Sequence, residues 1–284
     1  MRALIVCTAV ALLIRSPDAA AQSLARQPSV VAGMIDIHAH TGPEVDGLSL
    51  RRSIDGIEAA RLAARHGMRA ILLKNHYLET ATQAYCVSRV VPGIEVYGGI
   101  ALNRTVGGLN PDAVEAMANV DGGLGRVVYM PTFQSQHYNP GDPEAVPVSR
   151  NGELLPEVLE VLDVVAEYDL ALSTGHSSPE ESLMIIRAAR AAGVTRIYVQ
   201  HPTIEQIDMP LDMQMEAARL GALLEYRMPS GMLTDEEVRN VHALGPENVV
   251  LSSDRGQLGG PNHADVFRQA VPRLLRAGFT EEEI

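Results

Sequence analysis

The chain has 284 residues, of which 46% are hydrophobic and 20% charged. This composition is ordinary for a folded globular protein and excludes global disorder. The formal net charge is −12, whereas nucleic acids and anionic membrane surfaces require a basic patch, so we expect neither as a partner. The two cysteines, Cys7 and Cys86, are too few for a disulfide framework.

The first 21 residues have the pattern of a secretory signal peptide. A basic start at Met1-Arg2 precedes an apolar run over residues 3–14, and an Ala-x-Ala sequence ends the segment. The run is too short to span a bilayer. We expect a signal peptide over residues 1–21, a linker over 22–33, and a periplasmic or secreted protein free of the membrane after cleavage. The alternative is an extension from a mis-called start codon on a cytoplasmic protein.

From residue 34 onward, short β-branched runs alternate with longer helical patterns, which is typical of a parallel sheet built from βαβ units. Predicted strands cover residues 34–38, 69–74, 95–101, 125–130, 170–173, 196–200, 222–226 and 248–251. The more clearly bounded helices are predicted over 50–66, 80–91, 154–168, 211–220 and 264–277. Eight strand–helix pairs in about 250 residues favour a (β/α)8 TIM barrel over an open doubly wound sheet.

The predicted barrel occupies residues 34–284, and two further sequence features concern nucleotide binding and the last helix. The sequence contains neither a Gly-x-Gly-x-x-Gly motif nor a phosphate loop, so the usual motifs of a nucleotide-binding site are missing. Thr280-Glu281-Glu282-Glu283 is a capping box that announces another helix just before the sequence stops. We therefore expect the barrel to lack part of its C-terminal helix.

Polar residues capable of binding metal follow several of the predicted strands. His38 and His40 lie two residues apart, so on a strand both imidazoles point to the same face. In a barrel the carboxyl ends of all strands open onto one face, and neutral imidazoles with a carboxylate are typical ligands of divalent metals. The candidate site residues are His38, His40, Lys74, His176, His201 and Asp254.

This arrangement resembles the metal site of the amidohydrolase superfamily of metal-dependent barrels. The resemblance implies one or two divalent ions, most often zinc, held by these histidines and Asp254. It also implies that Asp254 orients a metal-activated water, takes its proton and passes it to the leaving group, although Asp254 is equally plausible as a plain ligand. His201 or His176 could instead stabilise the developing oxyanion. The runs 98–111 and 129–132 resemble a poorly characterised branch of amidohydrolase-like proteins.

The sequence departs from the family pattern at the fourth strand. Two-metal members commonly carry a carboxylated lysine or a glutamate there, but this strand ends in Tyr129-Met130-Pro131. Lys74, at the end of the second strand, is the only lysine of the predicted barrel. A carbamylated Lys74 could bridge two metals. Alternatively, the site is mononuclear and the Lys74 ammonium binds an anionic group of the substrate.

Other polar residues near the strand ends have uncertain roles at this level. His76 and His137 are either further ligands and substrate contacts or ordinary loop histidines. Asn103, Arg104, Glu225 and Arg227 either line the pocket or form salt bridges, and His66 and His242 precede helix ends, where a histidine favourably meets the helix dipole. The long loop over residues 131–152 has the length of a lid or binding loop.

The sequence therefore predicts a metal-dependent hydrolase that cleaves an amide, ester or lactone-like bond of a small molecule. A homo-oligomer is compatible with this interpretation. Three alternatives remain open: a phosphoesterase of the polymerase-and-histidinol-phosphatase type, a decarboxylase or hydratase on the same metal site, and a metal-binding barrel without turnover. The fold does not separate them, because function depends on the site.

Overall fold

The computed structural model describes residues 29–47 and 51–284. The predicted signal peptide and most of the predicted linker lie outside these residues. No helix of the described part is long and apolar enough to cross a membrane.

Eight parallel strands form the centre of the described structure, each paired with the next along the chain. They are β1 Ile35–His40, β2 Ala70–Lys74, β3 Glu95–Ala101, β4 Gly125–Tyr129, β5 Ala171–Ser173, β6 Arg196–Val199, β7 Leu223–Arg227 and β8 Val249–Ser252. The first and last strands meet just beyond β8, where Ala39 and Arg255 form a parallel bridge and the His40 amide donates to the Arg255 carbonyl at 2.7 Å. This closure confirms the predicted (β/α)8 barrel.

Eight α-helices surround the strands in the described residues. They are α1 Gly56–Arg65, α2 Ala81–Val90, α3 Pro111–Ala118, α4 Pro156–Glu167, α5 Pro179–Ala191, α6 Leu211–Arg219, α7 Asp235–Leu244 and α8 His263–Arg276. Capping boxes at Ser178 and Thr234 begin α5 and α7. Helix α1 begins at Gly56 and not near residue 50, because Asp55 caps it by accepting from the Glu58 amide at 2.8 Å.

Apolar side chains fill two layers. A small cluster of Leu72, Ala101, Val127, Tyr129 and Tyr198 packs together, as expected for strand residues that point into a barrel. A much larger core joins strand residues such as Ile100 and Leu224 to helix residues such as Val161 and Ile186. These layers give the strand ends a rigid support.

The long loop after β4 is fastened to the top of the barrel. The Asn103 side chain accepts from the amides of Thr132 at 2.9 Å and Gln134 at 3.2 Å, and Ser135 Oγ donates to the His176 carbonyl at 2.8 Å. A two-stranded hairpin of Ser149–Arg150 and Glu153–Leu154, which the sequence patterns did not predict, ends the loop. The loop is therefore a fixed wall above the strand ends.

Gly98 of β3 offers a test of this packing, because a methyl group there would lie 2.3 Å from the Thr80 carbonyl carbon and oxygen, at the start of α2. We expect Gly98→Ala to lower the free energy of unfolding by about 1–3 kcal/mol through overpacking. Gly141→Ala is the matched control, since nothing lies within 4 Å of its added methyl group. Urea unfolding measures both variants, and equal unfolding free energies for the two would contradict the close approach.

Candidate functional site

Three side chains from opposite ends of the barrel sequence meet at the mouth. His38 Nε2 lies 3.2 Å from His40 Nε2, and each of these nitrogens lies 3.2 Å from Asp254 Oδ1. Asp254 follows β8 in a left-handed backbone conformation, with φ of 47°. Such a conformation costs free energy in a non-glycine residue and is often found at functional sites. The strained backbone of Asp254 thus lies at the point where its carboxylate faces the two histidines.

The contacts of His38 determine its tautomer. Its Nδ1 lies 2.6 Å from Glu225 Oε1 on β7, and this carboxylate oxygen also accepts from Ser252 Oγ at 2.6 Å. A carboxylate only accepts, so Nδ1 carries the proton and Nε2 presents its lone pair. His38 Nε2 and Asp254 Oδ1 are therefore both acceptors, and they face each other together with His40 Nε2.

Facing acceptors of this kind fit a metal ion. The three residues form a group whose ligand atoms lie within 4.8 Å of one another. Zinc binds nitrogen and oxygen at about 2.0 Å, and tetrahedral angles then separate the ligand atoms by about 3.3 Å. The observed separations of 3.2 Å agree with that value. His38, His40 and Asp254 can accordingly hold one divalent ion once the Lys74 Nζ contact with His38 Nε2, at 2.9 Å, gives way.

Lys74, the only lysine of the sequence, lies beneath this group and is 1% exposed. Its Nζ is 2.9 Å from His38 Nε2 and 4.4 Å from the centre of the Tyr129 ring. Burial lowers the pKa of Lys74 to about 8, although the charges of Glu225 and Asp254 act in the opposite direction. Lys74 is not among the residues that line the cavity, but its amine contacts His38, which lines it.

His176 and His201 present unused ring nitrogens to the same mouth, with 5.1 Å between ring centres. Ser173 Oγ donates to Gln200 Oε1 at 3.1 Å, which leaves the Gln200 amide nitrogen to donate to His201 Nε2 at 2.7 Å. His201 therefore carries its proton on Nδ1, and this buried nitrogen has no partner among the described residues. Both ring nitrogens of His176 are likewise buried and unpartnered there.

These groups surround a cavity of about 180 Å³. Its lining residues are His38, His40, Arg52, His76, Phe133, Tyr138, His176, His201, Ile204, Gln206, Arg227, Asp254 and Gln257. The loop after β4 supplies an aromatic wall: Phe133 stacks on His76 at 4.0 Å, and Tyr138 packs on His176 at 4.7 Å. Arg52 and Arg227 supply positive charge to the cavity wall.

Burial sets the charge state of the site. It lowers the pKa of His40 to about 3 and holds the pKa values of His76, His176 and His201 well below their usual range. Burial alone would raise the pKa of Asp254, but the neighbouring His38 and His40 outweigh it and hold that pKa well below normal. Neutral imidazoles beside an ionised carboxylate are the protonation states that metal binding requires.

The structure also sorts the residues whose roles the sequence left open. Glu225 and Arg227 belong to the site, the latter through an ion pair with Asp254 at 3.2 Å. Arg104 instead pairs with Glu144 at 2.7 Å on the surface. His137 donates from Nε2 to the Gln206 carbonyl at 2.9 Å and does not line the cavity.

Sequence reasoning did not identify Arg52, Phe133, Tyr138 and Gln257 as lining residues. All four lie in segments between strands and helices, where no periodicity indicates the direction of a side chain. The one available signal was the length of the loop over 131–152, which contains Phe133 and Tyr138.

Solved structures share this fold at low sequence identity. An amidohydrolase from Pseudomonas aeruginosa superposes with a TM-score of 0.63 and 12% identity, over 90% of this chain and 92% of its own. An organophosphorus hydrolase from Deinococcus radiodurans gives 0.51 and 14%, over 80% and 78%. A dihydropyrimidinase from Brevibacillus agri gives 0.50 and 13%, over 84% and 61%. The predicted resemblance to amidohydrolases is thus confirmed at the level of the fold.

Sequence comparison places the chain more specifically. No curated protein matches it. Residues 33–225, which include every barrel strand from β1 to β6 and most of β7, match the family model described as "Family of unknown function (DUF6282)". The chain belongs to this family, DUF6282.

Proposed function

We propose that this protein is a metal-dependent hydrolase that cleaves an amide, ester or lactone-like bond of a small molecule. The observation that carries the proposal is the convergence of His38 Nε2, His40 Nε2 and Asp254 Oδ1 at 3.2 Å separations. The three structural neighbours described above, an amidohydrolase, an organophosphorus hydrolase and a dihydropyrimidinase by name, support the same class. Zinc is the proposed metal, because two imidazoles and a carboxylate suit it.

The proposed roles follow from the hydrogen bonds of each residue. A divalent ion in this site would lower the pKa of water and polarise the bond under attack. Asp254 takes the proton of the attacking water and delivers it to the leaving group. Arg227 Nη1 donates to Asp254 Oδ2 at 3.2 Å, which fixes the orientation of the carboxylate. His201, protonated on Nδ1, donates to the oxyanion that develops on the substrate.

Lys74 is proposed to contribute a ligand after carboxylation by carbon dioxide. Its uncharged amine forms the new N–C bond, one C–O π pair of carbon dioxide moves onto oxygen, and the amine proton is released. The product is a carboxylate on β2, in place of the carboxylated lysine or glutamate that two-metal members of the amidohydrolase superfamily, which the sequence resembles, commonly have on β4. Tyr129 occupies that β4 position and packs against Lys74 Nζ. His176, with both ring nitrogens unpartnered, is the proposed ligand for a second ion.

Metal analysis tests the proposal directly. We expect purified full-length protein to contain about one to two equivalents of a transition metal by elemental mass spectrometry. His38→Ala/His40→Ala should lose it, because the double variant removes two of the three converging ligand atoms. The metal-loaded wild type should also hydrolyse members of an ester, amide and lactone panel.

Asp254→Asn separates chemistry from metal binding in the same experiment. Its amide oxygen can still ligate, but the side chain no longer accepts a proton. We therefore expect the variant to retain most of the metal but less than about a hundredth of the wild-type activity, within the range for loss of a general base. Wild-type protein that takes up neither zinc nor manganese would overturn the hydrolase proposal. Metal without turnover on any substrate would favour the metal-binding barrel instead.

The carboxylation of Lys74 has its own readout. Because the sequence contains one lysine, protein equilibrated with ¹³C-bicarbonate should show one side-chain carbamate resonance by NMR. The resonance should be absent from Lys74→Ala, whose metal content should fall by at least half. A spectrum identical for both proteins would leave Lys74 as a buried amine and would limit the site to the other ligands.

Protons should destabilise the metal-free protein below neutrality. The unfolded chain protonates its histidines near pH 6.5, whereas folded His40 stays neutral down to a pKa of about 3. The unfolded state therefore binds more protons, and stability falls as the pH decreases from about 6.5, by up to about 1.4 kcal/mol per pH unit for each such histidine. Urea unfolding after chelation measures this slope. We expect His40→Asn to flatten it, and an unchanged slope would contradict the neutral state of His40.

A further inference from the structure

The cavity beside the candidate metal site has walls of two different kinds. Phe133, Tyr138 and Ile204 form an apolar wall on one side. Arg52 and Arg227 supply positive charge, and Asp254 is the one acidic residue among the lining residues of the described chain. A pocket of this composition favours a ligand that has an apolar part and a negative charge.

The two arginines differ in how much of their charge is free. Arg52 is 4% exposed and forms an ion pair with Glu44 through its Nε, so a carboxylate of the protein already balances it. Arg227 is 34% exposed. Among the described residues, its guanidinium makes one ion pair, through Nη1 to Asp254 Oδ2 at 3.2 Å. Since a guanidinium has five N–H donors, several remain available to a ligand.

Arg227 lines the same cavity as the residues of the apolar wall. Its charge acts on Tyr138 and opposes the rise in the pKa of that phenol, which burial causes. Tyr138 lies in turn against His176, with 4.7 Å between ring centres. An anion bound to Arg227 would therefore lie in the cavity that Tyr138 also lines, beside the proposed reaction centre.

We propose that the substrate is a small carboxylate, with the carboxylate bound by the guanidinium of Arg227 and its apolar or aromatic part packed against Phe133, Tyr138 and Ile204. This inference rests on the proposed function and specifies its substrate class. A bidentate arrangement suits the planar guanidinium and the planar carboxylate. The cavity of about 180 Å³ limits the apolar part to a small group.

Benzoate and its neutral isostere benzamide are suitable probes. Isothermal titration calorimetry of the metal-loaded full chain should show benzoate binding at least about tenfold more tightly than benzamide, as for a charge-assisted contact. Arg227→Gln should remove this preference, and Arg227→Lys should restore part of it. Arg239→Gln, an exposed arginine of α7, is the matched control and should keep the wild-type preference. Metal content is measured for every variant.

Each outcome bears on one proposal. Equal binding of the two probes to wild type, or a benzoate preference that survives in Arg227→Gln, would overturn the assignment; in the second case the anion binds the metal and not the arginine. Failure of the proposed function has a different signature, which is protein without metal and without turnover. The titration can still be run on such protein, because the Arg227 contacts involve only side chains of the chain itself. Turnover of neutral esters only would leave the hydrolase intact and reject the carboxylate.

Discussion

The close approach of two imidazoles and a carboxylate is the constraint on which the site depends. His38 Nε2, His40 Nε2 and Asp254 Oδ1 lie 3.2 Å apart. A cation beside them, either a metal ion or the Lys74 ammonium 2.9 Å from His38 Nε2, offsets the cost of burying the carboxylate. Surrounding contacts keep His38 and Asp254 in place. Glu225 Oε1 accepts a hydrogen bond from His38 Nδ1, and Arg227 Nη1 donates to the second oxygen of Asp254. The side chains are therefore arranged so that a cation stabilises them.

Closure of the barrel brings these acceptors together. The carboxylate of Asp36 on β1 accepts from Ser253 Oγ at 2.6 Å and from the amides of Ser253 and His38 at 3.2 Å and 3.1 Å. The same strand has a register irregularity between Asp36 and Ala39, and such bulges redirect side chains. Asp36 thus joins the first strand to the residue beside Asp254. His40 and Asp254, more than two hundred residues apart in sequence, lie close together at this junction.

Periodicity predicted the barrel and the strand ends well, because burial on alternating faces and capping boxes are local properties. The structure moves no strand boundary by more than two residues, and the principal misplaced start, that of α1, depends on the cap at Asp55. The site was harder to predict from the sequence than the fold. His38, His40 and Asp254 were predicted from strand ends, but the proton on His201 Nδ1 depends on Gln200 and Ser173. No sequence pattern specifies such a chain of hydrogen bonds.

In the proposed reaction, Asp254 connects substrate recognition to chemistry. One of its oxygens faces the histidines, and the other accepts from Arg227 at 3.2 Å. A substrate carboxylate bound to Arg227 would share its N–H donors with Asp254 and weaken their hold on that carboxylate. A less stabilised carboxylate is a stronger base. Binding of an anionic substrate would then raise the proton affinity of Asp254 when water must be deprotonated. A neutral ligand would leave the ion pair between Arg227 and Asp254 intact, and Asp254 would remain a weaker base.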